Sequence, residues 1–352
     1  MTLMLLDSAS LYFRAFHGIP ESMTAPDGTP VNAVRGFLDM TATLVRTRRP
    51  SRLVACLDAS WRPAFRVAAL PSYKAHRLAP NGREEIVPAG LVPQVPVIEE
   101  VLDALGIAAV GVPGFEADDV IGTLAHRDGG PVEVVSGDRD LFQVVRDDRP
   151  VRVLYTGRGV ARLEVVDEAW LRAKYGISVG RPGVPQSDSG ARSDSGAGSD
   201  SGAGVPQGSG GGVPQGSGAG VPQGAGGAYA DFAVLRGDPS DGLPGVPGVG
   251  EKTAAALVGR FGSLAAIEAA LDAGALEGFP AGARARLAAA REYLAVASLV
   301  VRVRLDVPVP EYDDTLPAEP AKPRRLVELS ERWGLDASLN RVLAALRTAA
   351  RV

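Results

Sequence analysis

The chain has 352 residues, enough for two domains, with 45% hydrophobic and 22% charged residues, which is ordinary globular usage; much of the excess among its 43 Gly and 27 Pro lies in one stretch. A formal net charge of −4 excludes a simple basic protein that coats nucleic acid, so any such contact must come from local charge. One cysteine, Cys56, excludes an intramolecular disulfide or thiolate metal site, and no apolar run approaches membrane-spanning length or forms a signal core ahead of Asp7, so the expected compartment is the cytoplasm.

Short apolar runs at residues 2–6, 52–57, 107–110, 132–135 and 151–155 read as strands. Segments 93–105, 117–126 and 166–175 carry apolar residues at three-to-four spacing and read as helices, so residues 1–180 predict a parallel sheet flanked by helices. Cys56, inside the second run, reads as a buried apolar residue. Residues 181–228 break the pattern with Gly-Val-Pro-Gln repeats at 183, 204, 212 and 220. That segment is expected to be disordered, because Gly/Ser-rich chain has too little apolar surface to offset its entropy. A docking tether is one use for it, and slippage expansion in a tolerated surface loop is the simpler account. Order is expected to resume with a helix at 229–236 and to continue, through a Gly/Pro-rich hairpin, into helices at 251–260, 264–273 and 281–296 and two more near the end, with a β-like run at 299–307.

Acidic residues follow the strands. Asp7 ends the first, Asp58 the second, and Asp138 and Asp140 follow 132–135; Glu116, Asp118 and Asp119 open a helix, and Asp238 and Asp241 form a further pair. In an open α/β sheet these ends meet where ligands bind. Each acid alone reads as well as a helix-start charge or a turn residue. Nine together at one edge would repel one another and raise their pKa values unless cations neutralised them. Oxygen ligands without cysteine favour magnesium or manganese, and two such ions ~3.5–4 Å apart can activate water for phosphodiester hydrolysis.

Between Asp58 and Glu84 there is no acid, yet Arg62, Arg66, Lys74, Arg77 and Arg83 occur among Trp61, Phe65, Tyr73 and His76. Such a stretch can hold phosphates and stack bases, or can form a solvated basic face. Lysine is rare among the 37 basic residues, being confined to Lys74, Lys174, Lys252 and Lys322. Further on, Gly245, Gly248 and Gly250 precede Lys252 and Thr253, a glycine hairpin entering a helix whose free N–H groups suit a phosphate; a plain structural turn is the alternative.

Five blocks, taken together, resemble the 5′ nuclease domain of bacterial DNA polymerase I and the wider 5′-3′ exonuclease and flap endonuclease family. They are residues 5–17 with Leu5-Leu6-Asp7-Ser8, then Tyr73-Lys74-Ala75-His76-Arg77, then 114–125 with Glu116-Ala117-Asp118-Asp119, then Ser136-Gly137-Asp138-Arg139-Asp140, and 237–254 with Gly237-Asp238-Pro239-Ser240-Asp241. The resemblance implies a PIN-like, resolvase-like α/β domain at 1–180 with a basic helical arch at about 62–95, the insert at 181–228, and a helix-hairpin-helix domain at 229–352 supplying second-site acids. It implies that Asp7, Asp58, Glu116, Asp118 and Asp119 serve one metal site and Asp138, Asp140, Asp238 and Asp241 a second, holding two magnesium ions for which manganese can substitute. Lys74 and Arg77 would stabilise the scissile phosphate. Arg14 and Tyr73 would help to place the 5′ strand, and the hairpin would grip duplex DNA with a potassium ion; Arg62 and Arg66 of the basic stretch are further candidates for DNA binding.

A chain of 352 residues has no room for polymerase or proofreading domains, so the expectation is a free-standing monomeric nuclease acting on a 5′ flap, 5′ end or nick, beside a DNA polymerase in trans and associated with the nucleoid. The rival readings are a catalytically silent binder of DNA structures and a PIN-type ribonuclease. No second-site acid is missing, as the binder would require, and the glycine hairpin favours duplex DNA.

Overall fold

A computed structural model describes residues 1–82, 84–177 and 224–350. Its first half alternates strand and helix: β1 (Leu3–Asp7), α1 (Ser8–Gly18), α2 (Asn32–Arg48), β2 (Arg52–Cys56), α3 (Ala64–Ala69), α4 (Gln94–Leu105), β3 (Ala108–Val110), α5 (Ala117–Arg127), β4 (Val132–Ser136), β5 (Val151–Tyr155), β6 (Glu164–Val166) and α6 (Glu168–Tyr175). The second half is helical: α7 (Ala225–Arg236), α8 (Glu251–Phe261), α9 (Leu264–Asp272), α10 (Ala283–Ala289), α11 (Arg291–Val301), α12 (Pro323–Trp333) and α13 (Asp336–Ala349).

The sheet runs β3-β2-β1-β4-β5-β6, parallel except for β6, which pairs antiparallel with β5 through Val153 and Val166. All five residues of β1 are buried, as expected of a central strand covered on both faces. Its side chains alternate: Leu3 and Leu5 join a core with α5 and α7 to α11, whereas Met4 and Leu6 join one with α2, α4, α12 and α13. The order reverses between β1 and β4, and the crevice at the carboxyl ends on either side of such a switch is where open sheets bind ligands.

Four expectations are corrected. Helix α7 begins at Ala225, so residues 225–228 belong to a buried helix rather than to the expected insert; their small side chains let the helix lie against Gln143 and Val145, whose carbonyls a Cβ at Gly226 would strike. The insert call from residue 181 to 223 lies outside the described residues, as does Arg83. The single helix expected at 281–296 is two, α10 and α11, broken at Ala290. The β-like run at 299–307 instead finishes α11 and continues as irregular chain, its branched residues being used to cover α5 in the core that holds Leu3 and Leu5 rather than to pair.

Nor is 229–352 one domain. After α11 the chain runs back along the sheet, where Asp314 accepts from the Leu53 N–H and Lys322 donates its N–H to Ala104. Helices α12 and α13 then close the opposite face of the six-stranded sheet, with Arg341 paired to Asp39 on α2. Across the undescribed stretch, Tyr175 and Tyr229 face one another at 5.4 Å and share a cluster with Phe142, Trp170 and Phe232, which pins α6 to α7. Among the described residues no single helix is long and apolar enough to cross a membrane.

Candidate active site

The sheet's carboxyl edge opens into a cavity of about 680 Å³ lined by Asp7, Asp58, Glu116, Asp118, Asp138 and Asp238 together with Lys74 and Arg77. Each acid arrives by a local device. Asp7 is both the last residue of β1 and the N-cap of α1: Oδ1 accepts the Ser10 N–H at 3.0 Å, and Oδ2 accepts Ser136 Oγ at 2.5 Å. The Ser136 hydroxyl in turn receives the Asp138 N–H at 2.8 Å, so one serine at the end of β4 ties the two acids across the switch point. Asp58, after β2, accepts the Ala117 N–H at 2.7 Å and thereby meets the start of α5, which carries Asp118 into the cavity.

Asp138 Oδ1 accepts the Asp140 N–H at 2.9 Å, whereas Asp140 Oδ1 is buried with no partner among the described residues. A buried carboxylate oxygen without a donor costs free energy that a cation would remove. Asp238 caps a short turn, accepting the Ser240 N–H at 2.9 Å, and Asp241 closes that turn beside Arg77. Burial lifts the Asp7 carboxyl to about 7, with Asp58 and Asp138 adding repulsion. Burial likewise raises Asp118, Asp138 and Asp140, and neighbouring acids add to each. Such a set, all oxygen and short of positive charge, matches hard divalent cations. Among the described residues no three of these side chains stand close enough to cage an ion, and cations of the chain itself hold Glu116 and Asp241.

Those cations come from the arch. Lys74 pairs with Glu116 and stands 4.0 Å from Asp241, and Arg77 Nη2 lies 2.6 Å from Asp241 Oδ1 and 2.8 Å from the Ser240 carbonyl. The Lys74 N–H also donates to the Asp241 carbonyl at 2.9 Å. Lys74 is held at φ +49°, ψ +20°, a left-handed conformation that a long side chain adopts only when its surroundings impose it.

Several of the expected residues are engaged inside the protein. Arg66 is 2% exposed and cannot reach a DNA strand: it pairs with Glu116 and Asp119 and donates through Nε to the Val300 carbonyl at 2.9 Å. Asp119 is fully buried, and its two oxygens accept from Arg66, the Glu116 N–H and the Arg304 N–H, which leaves no lone pair suited to a metal. Both therefore brace Glu116 from behind. Arg62 is spent inside the arch on the Tyr73 and Pro71 carbonyls at 2.6 and 2.8 Å. Tyr73, also buried, donates its hydroxyl to Glu116 at 2.8 Å. Arg14 has no partner for its buried Nε and directs Nη2 toward Gly137.

The hairpin lies on the same segment as Asp238 and Asp241. Gly245 and Gly248 have φ of +67° and +76°, buried Val246 and Val249 pin the turn, and Gly250 starts α8 without a side-chain cap, leaving its first N–H groups exposed beside Lys252 and Thr253. The sequence assigned no role to Ser10, Ser136, Tyr12, Glu85, Arg139 and Tyr155, of which all but Ser136 line the cavity. Ser136 directly before Gly137-Asp138, and Ser10 three residues after Asp7, carried a local capping signal; Tyr155 and Glu85 carried none, because only the fold brings them there.

Residues 2–176 match the family model described as 5′-3′ exonuclease, N-terminal resolvase-like domain, and residues 225–324 match 5′-3′ exonuclease, C-terminal SAM fold. A 5′-3′ exonuclease of Streptomyces coelicolor is 52% identical over 347 residues, covering 97% of this chain and 99% of its own. The DNA polymerase I of Mycobacterium bovis is 37% identical over 91% of this chain, which spans 29% of that longer protein. The T5 5′-exonuclease, solved with divalent zinc ions bound, shares the fold at a TM-score of 0.55 and 15% identity over 100% of this chain and 99% of its own. Both halves of the sequence, and not the nuclease sheet alone, thus place this protein in the 5′-3′ exonuclease family.

Proposed function

We propose that the protein is a magnesium-dependent, structure-specific nuclease that cuts DNA at a 5′ flap, 5′ end or nick. The observation that carries this reading is the meeting of Asp7, Asp58, Glu116, Asp118, Asp138 and Asp238 in one cavity beneath Lys74 and Arg77. Asp7, Asp58, Glu116 and Asp118 would hold one ion, and Asp138, Asp140, Asp238 and Asp241 a second. Divalent ions there supply charge neutralisation and activation of water for phosphodiester hydrolysis.

The chain's own residues do the rest. Lys74 and Arg77 exchange their carboxylate partners for the scissile phosphate, a charge-assisted contact that Arg can make with two donors. Arg66, from its buried position, keeps Glu116 oriented throughout. Arg14, whose Nη2 is directed toward Gly137, steadies the 5′ strand, and the hairpin N–H groups with Lys252 and Thr253 grip duplex backbone without reading sequence, with a potassium ion to aid them. We read the protein as a cytoplasmic, nucleoid-associated monomer that works beside a polymerase supplied in trans.

Asp138→Ala separates this reading from that of a silent binder. The expected result is loss of flap cleavage by at least 10²-fold with flap binding retained; unchanged product release would overturn it. Matched DNA and RNA flaps test the ribonuclease alternative, which faster RNA cleavage would favour.

A further inference from the structure

A second pocket, of about 240 Å³, lies between the β5–β6 hairpin and α6, and its lining includes Arg139, Tyr155, Arg158, Trp170, Lys174 and Tyr175. Arg139 and Tyr155 also line the large cavity, so the two spaces share a wall. The pocket is aromatic on one side and cationic on the other. Phe142 meets both Tyr155 and Trp170 edge-on, at 5.2 and 5.4 Å, and so fixes the ring planes. Lys174, one of only four lysines, stands 5.5 Å above the Trp170 ring, and Arg139 Nε donates weakly to the Tyr155 hydroxyl at 3.4 Å. The one acid, Glu164, faces a largely exposed Arg158 at 3.8 Å and cannot neutralise three cations.

The rings also serve the aromatic cluster that joins α6 to α7, whereas the cations do not serve the core. Arg139, Arg158 and Lys174 are exposed, and Lys174 has no carboxylate partner among the described residues. At residue 157 only glycine fits, since a Cβ there would run into the Tyr155 ring and fill the pocket's mouth. Exposed cations over fixed aromatic faces are what a base with its phosphate requires: stacking is worth ~1–3 kcal/mol per base and tolerates any base, while the cations attract the phosphate.

We propose that this pocket is a subsite for one unpaired nucleotide of the nucleic-acid strand that adjoins the cut, its base against Trp170 and Tyr155 and its phosphate among Arg139, Arg158 and Lys174. The subsite rests on the nuclease reading above, because its shared wall makes it an extension of that cavity. A nucleotide held there fixes the strand on the far side of Asp138 and Asp140 from the arch, so the phosphodiester is gripped from two directions. Entry displaces the Lys174 ammonium from the Trp170 face to the phosphate.

Trp61, Trp170 and Trp333 are the only tryptophans, so a Trp61→Phe, Trp333→Phe protein reports through Trp170 alone. In EDTA, titration with dAMP is expected to quench Trp170 saturably, deoxyadenosine to do so more weakly, and inorganic phosphate not to quench at all. Lys174→Ala, at an exposed site, is expected to weaken dAMP binding about fivefold to tenfold and to raise KM for flap cleavage with kcat kept. Absence of quenching, an equal response to phosphate alone, or unchanged dAMP affinity in Lys174→Ala would overturn the subsite. Flap cleavage by the unaltered chain, run in parallel, keeps the two ideas apart: cleavage without a Trp170 response removes the subsite alone, whereas no cleavage removes the nuclease reading on which it depends.

Discussion

Arg66 shows how a basic residue in a basic, aromatic stretch can serve the site without touching the substrate. Its guanidinium satisfies Glu116 and Asp119 in an environment that excludes water, and removing one partner of such a group leaves the others charged and unpaired. Arg66→Ala is expected to cost about 3–5 kcal/mol of stability, measured by urea unfolding; a loss below about 1 kcal/mol would mean that the two acids are hydrated. Asp7 gives a second prediction. Its carboxyl is lifted to about 7 in the folded chain from an ordinary 3.8, so between those values the folded state keeps a proton that the unfolded state has released. Stability from this group is therefore complete below about pH 4 and is lost as pH rises through 7. Metal-free protein should melt at lower temperature at pH 8 than at pH 5, Asp7→Asn should flatten that decline, and added magnesium should reverse it; a decline unchanged in Asp7→Asn would contradict the assignment. The acids themselves were visible in the sequence because strand ends are visible. Whether a carboxylate ligates or braces was not, because Asp119 differs from Asp118 only in which side of α5 it occupies, and that depends on Arg66, 53 residues away in the chain.

Elements were legible to the degree that their periodicity was undiluted. Strand 151–155 was read to the residue, and β1, β2, β3 and β4 within one or two, since buried parallel strands are short, branched and apolar. Helices α1 and α2 went unread: α1 mixes Tyr, Arg and His into its apolar face, and α2 spends polar Asn32 and Thr41 on buried hydrogen bonds. Helix α7 was shortened because its first turn is Ala-Gly-Gly-Ala, indistinguishable by composition from the repeats before it, although tertiary contact with Gln143 and Val145 demands small residues there. Gly226→Val should therefore lower the melting temperature by several degrees, read by calorimetry, whereas a neutral effect would show that α7 can shift. Replacing residues 178–223 with a short Gly/Ser linker should leave the melting temperature within a few degrees and cleavage unchanged. Tyr175 and Tyr229 already hold the flanks together, and loop closure costs only about 0.6 kcal/mol per doubling of length. A large loss of cleavage at unchanged stability would instead assign that segment a working role.

On the scale of the whole molecule, an acidic sum of −4 coexists with a cationic arch and hairpin because the acids gather on one edge and the arch cations stand over them. The two motif groups were legible in the sequence, whereas the expected domain border followed order along the chain. The fold instead returns α12 and α13 to the nuclease sheet, which fastens both ends of the helical half and keeps Asp238 and Asp241 facing the strand ends. Binding carried by phosphate contacts should fall with salt, with a slope of about −0.9 per contact on a log–log plot, and Lys252→Ala should make that slope shallower by about one. The central claim, that these converging acids make a metal-dependent nuclease with a preference for 5′ structures, meets its most direct test on a duplex bearing a 5′-labelled single-stranded flap. In magnesium, labelled product cut at the flap junction should be released, and EDTA or Asp138→Ala should abolish that release. An intact flap in magnesium, under conditions where a known flap nuclease cuts it, would show that these acids do not make a nuclease.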